Sequence, residues 1–165
     1  MKMPIDRIEL LHAEILNFKS KRLRILRAIE ATLQSIKKED GYSNTVNLVT
    51  FDGKSWKDIA DPQTPAIFII DDMVQINRFA GKTREYKWTV RLFGVCKGFS
   101  LNEFEEHIAD VEECIEDNSF LCGFAARTEI NQVVTDNQLF DNTDTRLYEI
   151  ELMVDYVRCL THPKS

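Results

Sequence analysis

The alternation of apolar and polar residues near the C-terminus constrains the fold most strongly. Within residues 146–158, every second residue from Tyr148 to Tyr156 is apolar or aromatic, whereas Glu149 and Glu151 fall between them. A strand with one dry face and one wet face is typical of an antiparallel sheet. The rest of the chain therefore has to supply further strands and a layer that covers the dry face.

Four other segments have the composition of strands. Residues 45–51 are rich in β-branched side chains, and residues 66–70 form a continuous apolar run, which indicates a strand buried on both faces. Residues 86–97 and 127–135 are predicted as two more strands. The polar stretch 71–86, which lies between the apolar run 66–70 and the strand 86–97, is open to two interpretations, a long exposed hairpin or a mobile loop.

The first forty residues have helical periodicity. Apolar residues recur at spacings of three and four, which predicts either one helix over about 5–38 or a short helix followed by a second that begins after Ser20. Asp40 and Gly41 are expected to end the helix, because Gly accepts a left-handed conformation.

A further helix is predicted from Ser100 to about Asn118. Ser100 and Glu103 form a capping-box pattern at its start. Its expected buried face consists of Leu101, Phe104, Ile108, Val111 and Ile115.

These elements predict an α+β fold, a mainly antiparallel sheet of four to five strands packed by two helices, with an N-terminal helical extension. We expect the extension over residues 1–19, a single α+β domain over 20–160 and a short tail over 161–165. The length suits one domain of ordinary size.

The net charge disfavours nucleic acid and membrane surfaces as partners. The chain carries 27 acidic and 21 basic side chains, for a formal charge of -6. An acidic protein repels phosphate unless it has a local basic patch, so no sequence-specific nucleic acid is expected. No signal peptide and no membrane-spanning run is recognised, which predicts a protein of the cytoplasm where it is made. The four cysteines lack C-x-x-C spacing and are expected to be reduced.

Familiar catalytic and metal-binding patterns are incomplete. The two G-K-[ST] tripeptides lack the earlier glycine of a phosphate loop. His162 has Cys159 nearby but no second ligand pair, and the Asp/Asn-rich loop 136–144 lacks calcium-loop spacing. His107 is predicted to be an ion-paired surface histidine beside Glu106. We therefore expect no enzyme, no cofactor and no metal.

One catalytic alternative stays open. Asp71 or Asp72, followed by Glu85 and Lys87, has the order of a restriction-type nuclease site. In such a site two carboxylates bind Mg²⁺ and the lysine helps to activate water. The competing interpretation is surface charge on a hairpin.

Three charged groups are candidates for contacts between subunits or with a partner. The helix after Ser20 carries a basic cluster, the polar stretch 71–86 carries further cations, and the helix after Ser100 is densely acidic. A solvated surface and a subunit contact are both compatible with these patterns. The candidate residues are Arg22, Arg24, Arg27, Arg78, Lys82, Arg84, Glu105, Glu112 and Glu116.

The order of segments resembles a known family. R-I-L-R-A-I-E-A-T-L-Q-S-I (24–36) leads into Gly41 and Tyr42, followed by D-G-K-S-W (52–56) and P-A-I-F-I-I (65–70). A W-T-V strand (88–90), the acidic helix and an R-L-Y-E-I-E-L strand (146–152) complete the pattern. Over about residues 20–160 the chain resembles the tail terminator, or tail completion, proteins and related minor tail proteins of long-tailed bacteriophages.

This resemblance implies a structural virion protein without catalytic residues. Such a subunit forms a ring, expected to be hexameric, at the head-proximal end of the tail tube. Its implied partners are other copies of itself, the tail tube protein, the head-completion proteins and, if the tail is contractile, the sheath. The alternative within this class is another neck, head-tail connector or minor tail subunit of similar fold.

Overall fold

Five strands form one mixed sheet in the computed structural model, in the order β1-β2-β3-β5-β4. The structure describes residues 2–51, 56–137 and 144–159, without the side chains of residues 77–80 and 137. The strands are β1 Leu48–Thr50, β2 Ala66–Ala80, β3 Thr83–Lys97, β4 Arg127–Asn137 and β5 Thr145–Cys159. Only the β1–β2 pairing is parallel. The predicted mainly antiparallel α+β fold is confirmed.

Strands β2 and β3, of 15 residues each, form a hairpin that runs through most of the stretch 71–86. Gly81 occupies the turn with φ 60°, a left-handed conformation that suits glycine in a tight hairpin. The hairpin interpretation of this stretch is therefore correct, and the mobile-loop alternative is not. Because the tight turn lets pairing extend to Thr83, β3 begins three residues before the predicted start at Tyr86.

Three helices accompany the sheet: α1 Ile5–Ile15, α2 Lys21–Gln34 and α3 Leu101–Asp117. Ser20 caps α2 by accepting a hydrogen bond from the Leu23 backbone N–H at 3.2 Å. At the start of α3, Ser100 accepts from the Glu103 N–H at 3.2 Å, while the Glu103 carboxylate accepts from the Ser100 N–H at 2.9 Å. The two-helix interpretation of the N-terminal region and the capping box of α3 are both confirmed.

The main core lies between the helices and one face of the sheet. In the middle of that face, Ile69, Leu92 and Ile150 are adjacent in register and buried. A smaller cluster around Phe68 and Val95 covers the start of β2 on the reverse face. The predicted burial of β2 on both faces is confirmed from Ala66 to Ile69, whereas Ile70 is 43% exposed.

Helix α1 contacts the body of the fold through its C-terminal half. Ile15 is buried, and the ring of His12 stacks on Phe124 with centroids 4.5 Å apart. The Nδ1 atom of His12 donates to the carbonyl oxygen of Cys122 at 2.8 Å. Ile5, at the other end of the helix, is 73% exposed. Apolar packing and a ring contact thus hold the C-terminal half of the helix. Just before its N-terminus, Met3 is buried and its N–H donates to Oδ1 of Asn118 at 3.2 Å.

Some predicted boundaries were wrong. Helix α2 ends at Gln34, and a separate 3₁₀ turn, Lys38–Asp40, precedes Gly41. Strand β1 covers only Leu48–Thr50, because the N–H of Val46 donates to the carbonyl of Ile36 instead of joining a ladder. Leu101 is 50% exposed, since it lies in the first turn of α3, before the helix reaches the sheet.

Candidate functional site

A basic pocket of about 510 Å³ lies where the N-terminus of α2 meets the ends of three strands. The ends of β2, β3 and β5 extend past the helix there, so that one face of the strands forms the floor and α2 forms a wall. The lining residues are Lys19, Ser20, Lys21, Arg22, Val74, Tyr86, Tyr156 and Arg158.

Arg22 is oriented at the pocket by two neighbours. Its Nη2 atom lies 2.7 Å from Oδ2 of Asp71, and its guanidinium carbon lies 4.8 Å from the centroid of the Trp88 ring. The other oxygen of Asp71 accepts a hydrogen bond from Nε1 of Trp88 at 2.7 Å. Trp88 is fully buried, so this carboxylate connects the core to the pocket wall.

The floor and rim of the pocket combine aromatic rings with positive charge. Tyr86 and Tyr156 are opposite each other in register and stack with centroids 4.8 Å apart. Partial burial, and then the nearby Arg24, lower the pKa of Lys21. Within residues 2–51, 56–137 and 144–159, no ion pair involves Lys19, Lys21 or Arg158. The pocket therefore carries an excess of positive charge.

Two of the predicted contact residues are engaged within the chain. Arg24 donates from Nε to the carbonyl oxygen of Phe18 at 2.7 Å and from Nη2 to that of Leu16 at 3.3 Å, and so holds the link between α1 and α2. The guanidinium of Arg27 lies over the rings of Phe18 and Phe51 and donates to Glu30 at 3.1 Å. Of the three predicted arginines of α2, only Arg22 lines the pocket.

The cations of the hairpin lie beyond the pocket, towards the tip. Lys82 is exposed in the β2–β3 turn. Arg84 is directly opposite Arg158 in the β3–β5 register, which places both side chains on the face that carries the pocket. The backbone of Arg78 pairs with Glu85, but its side chain is outside the described part of the structure.

An acidic stripe, Glu105, Glu112 and Glu116, runs along one flank of α3. Their spacings of seven and four place the three side chains on one helical face. Burial, then Glu116 and then Glu105, raise the pKa of Glu112, as expected for like charges that lie close together. None of the three forms an ion pair within the described residues.

The opposite flank of α3 has a structural role that the sequence did not predict. The carboxylate of Asp110 accepts hydrogen bonds from the backbone N–H groups of Ser43 at 3.1 Å and Asn44 at 2.9 Å. Asp110 is only 5% exposed. Nothing in the sequence distinguishes it from the other acids of the helix, because its partners lie more than sixty positions away.

The prediction of His107 as a surface residue was wrong. His107 is fully buried, and its Nε2 atom lies 2.8 Å from the hydroxyl of Tyr148. Burial lowers the pKa of His107 to about 4. The helical spacing is the physical reason, since His107 follows Phe104 by three positions and precedes Val111 by four, on the face that packs on the sheet.

The residues of the nuclease alternative are far apart. Asp71 is opposite Val90 in register, five positions along β3 from Glu85, which corresponds to about 17 Å at roughly 3.4 Å per residue. Glu85 and Lys87 also lie on the other face of the sheet from Asp71, because alternate strand residues point to opposite faces. Asp72 shares their face, but it pairs with Arg91 at 2.7 Å.

The described residues contain no group of three or more potential metal ligands, and no helix in that part of the chain is long and apolar enough to cross a bilayer. No disulfide joins any of the four cysteines, and burial raises the pKa of Cys96 to about 12. His162, the loop residues 138–143 and the G-K-S tripeptide at 53–55 lie outside the described residues.

Sequence comparisons do not assign this chain to a family: no family model and no curated protein matches it. The pocket is therefore identified as a candidate site from its shape and its lining residues alone. The sequence did not predict that Tyr86, Tyr156 and Arg158 would meet at the N-terminus of α2, because this depends on the register between β3 and β5.

Proposed function

We propose that this chain is a tail terminator subunit of a long-tailed bacteriophage. It would be a structural virion protein that forms a ring, six-membered as the resemblance implies, at the head-proximal end of the tail tube. The ring would stop tube growth and join the tube to the head-completion proteins. Its function would rest on complementary shape and charge, without a chemical reaction.

The observation that carries this proposal is the order of elements on which the resemblance rests. The chain has a helix, a short strand, a long hairpin, an acidic helix and two antiparallel strands, in that order.

Two surfaces support an assembly role. The basic pocket and the acidic stripe carry opposite charge on separate parts of one chain. The strand ends at the pocket also expose apolar side chains. Ile76, 49% exposed, pairs with Tyr86 and lies on the pocket face, whereas Val157, 39% exposed, pairs with Glu85 and lies on the reverse face. Apolar groups with charged groups around them are typical of protein interfaces.

Tube assembly in the presence of the purified protein tests the proposal. Tail tube protein is polymerised alone and with an excess of this chain, and the tubes are imaged by negative-stain electron microscopy. A terminator should shorten the tubes and leave an added disc at one end only. Unchanged tube lengths and bare ends would contradict the proposal, whereas binding along the tube wall would favour another minor tail subunit.

A further inference from the structure

We propose that the basic pocket of one subunit receives the acidic stripe of a second copy of this chain, in a head-to-tail contact. This inference rests on the proposed ring and names the two surfaces that would close it. The pocket contributes Lys19, Lys21 and Arg158, and the stripe contributes Glu105, Glu112 and Glu116.

The described part of the chain leaves the charges of both surfaces without ion-pair partners. The three cations and the three glutamates make no ion pair among the described residues. Each surface gathers like charges, which repel one another, so each is stabilised by a surface of opposite sign. Another copy of the chain offers such a surface to the basic pocket, because the net charge of the chain is -6 and Glu105 and Glu116 of its acidic stripe are exposed.

The dimensions of the two surfaces are compatible. Glu112 and Glu116 are one helical turn apart, about 6 Å along the axis, and Glu105 lies about 10 Å further along at roughly 1.5 Å per residue. The pocket, at about 510 Å³, is large enough to admit side chains from one face of a helix. The stacked rings of Tyr86 and Tyr156 give it an apolar floor, against which the methylene groups of glutamate side chains can pack.

The pocket and the stripe lie on different parts of the fold. The pocket is at the N-terminus of α2, where the ends of β2, β3 and β5 form its floor. The stripe is on the flank of α3 that is turned away from Asp110 and from the Ser43–Asn44 backbone that follows α2. A contact between two different surfaces repeats from copy to copy, and it closes into a ring when the rotation allows.

Two charge-reversed variants of the full chain test this contact. The pocket variant carries Lys19→Glu and Lys21→Glu, which place acid at the N-terminus of α2. The stripe variant carries Glu112→Lys and Glu116→Lys, which place cations near the C-terminus of α3. Both pairs of changes suit the helix dipole, so both variants are expected to fold. The matched controls reverse charge elsewhere, Lys37→Glu with Lys38→Glu and Glu9→Lys with Glu14→Lys.

Sedimentation velocity of each protein, and of an equimolar mixture of the two variants, measures association. Wild type and both controls should associate, and each reversed variant should associate about tenfold or more weakly. The mixture should regain association, because the charge-reversed pocket of one variant fits the charge-reversed stripe of the other. The native pocket and the native stripe, one on each variant, also fit each other. Alternation of two variants closes only a ring with an even number of subunits.

Several outcomes would overturn the inference: a wild-type chain that remains monomeric, reversed variants that associate like wild type, or a mixture that does not recover. Inorganic phosphate, added alone, tests a small anion as the occupant instead. Phosphate that binds in the pocket, with no association between copies of the chain, would also contradict the inference. The tube assay keeps the two proposals apart. Recovered rings that ignore tube ends would refute only the terminator function, whereas tube capping by both unmixed variants would refute only this contact.

Discussion

The Oδ1 atom of Asp71 accepts a hydrogen bond from Nε1 of Trp88 at 2.7 Å, while its Oδ2 atom lies 2.7 Å from the guanidinium of Arg22. One carboxylate at the edge of the core thus connects α2 to the two strands of the long hairpin. The arrangement fixes Arg22 at the wall of the basic pocket. It also gives a buried indole N–H the partner that it requires.

Substitution of Asp71 by Ala is predicted to lower the free energy of unfolding by about 1–3 kcal/mol, because the buried Trp88 N–H loses its acceptor. Urea denaturation followed by circular dichroism measures the loss. Asp72→Ala is the matched control, since it breaks only a solvent-exposed ion pair with Arg91, and such pairs contribute little to stability. Equal losses in the two variants would contradict the role given to Asp71.

His107 is predicted to make the fold less stable in acid. Its pKa is about 4 in the folded chain, below the ordinary value of 6.5, so between these values the unfolded chain binds the proton and the folded chain does not. The free energy of unfolding should therefore fall as pH drops from 6.5 towards 4, by up to about 1.4 kcal/mol per pH unit from this residue.

The variant His107→Gln isolates this contribution. Its amide can still bond to the Tyr148 hydroxyl, but it does not titrate, so its stability should depend less steeply on pH in that window. Asp110, whose pKa burial raises, titrates in both proteins and cancels from the comparison. Parallel pH profiles for wild type and variant would show that His107 is protonated in the folded state.

Gly94 is predicted to tolerate no side chain. A Cβ atom at this position would lie 1.9 Å from the ring of Tyr148, which packs across the strand over the glycine. Gly94→Ala should cost about 1–3 kcal/mol of stability, since the ring has to move away from its place in the core. Gly81→Asn is the control, because nothing lies within 4 Å of a Cβ there and Asn accepts positive φ. Thermal denaturation that ranks Gly81→Asn as the more damaging change would contradict this packing.

Magnesium is predicted to have no effect on the fold or on DNA. Asp71 and Glu85 lie on opposite faces of the sheet, and one ion cannot bridge them. Millimolar Mg²⁺ should leave the melting temperature unchanged, and a supercoiled plasmid should stay intact. Mg²⁺-dependent cleavage that disappears in Glu85→Ala would restore the nuclease alternative.

Local patterns predicted much of the fold. The alternation around Tyr148, the capping box at Ser100 and the cap at Ser20 each depend on residues that are neighbours along the chain. The strand and the two helix starts that they specify could therefore be predicted from the sequence. The end of α2 could not, because the hydrogen bond from Val46 to Ile36 depends on how the chain turns towards β1.

The candidate site was less accessible to prediction. The charges of Arg22 and Glu112 were recognised, but the pocket needs Tyr86 and Tyr156 to meet across two strands whose register is set by long-range pairing. His107 was misplaced because its acidic neighbours suggested a wet face, whereas its spacing from Phe104 and Val111 placed it on the dry one. Periodicity was the better guide there than local composition.

Negative-stain electron microscopy of the concentrated protein shows directly whether the chain forms rings. Closed rings with six-fold symmetry are expected in class averages, each with six times the 19.2 kDa mass of the chain in native mass spectrometry of the same sample. Particles of single-chain mass, at concentrations where tail tubes assemble, would contradict the proposed ring.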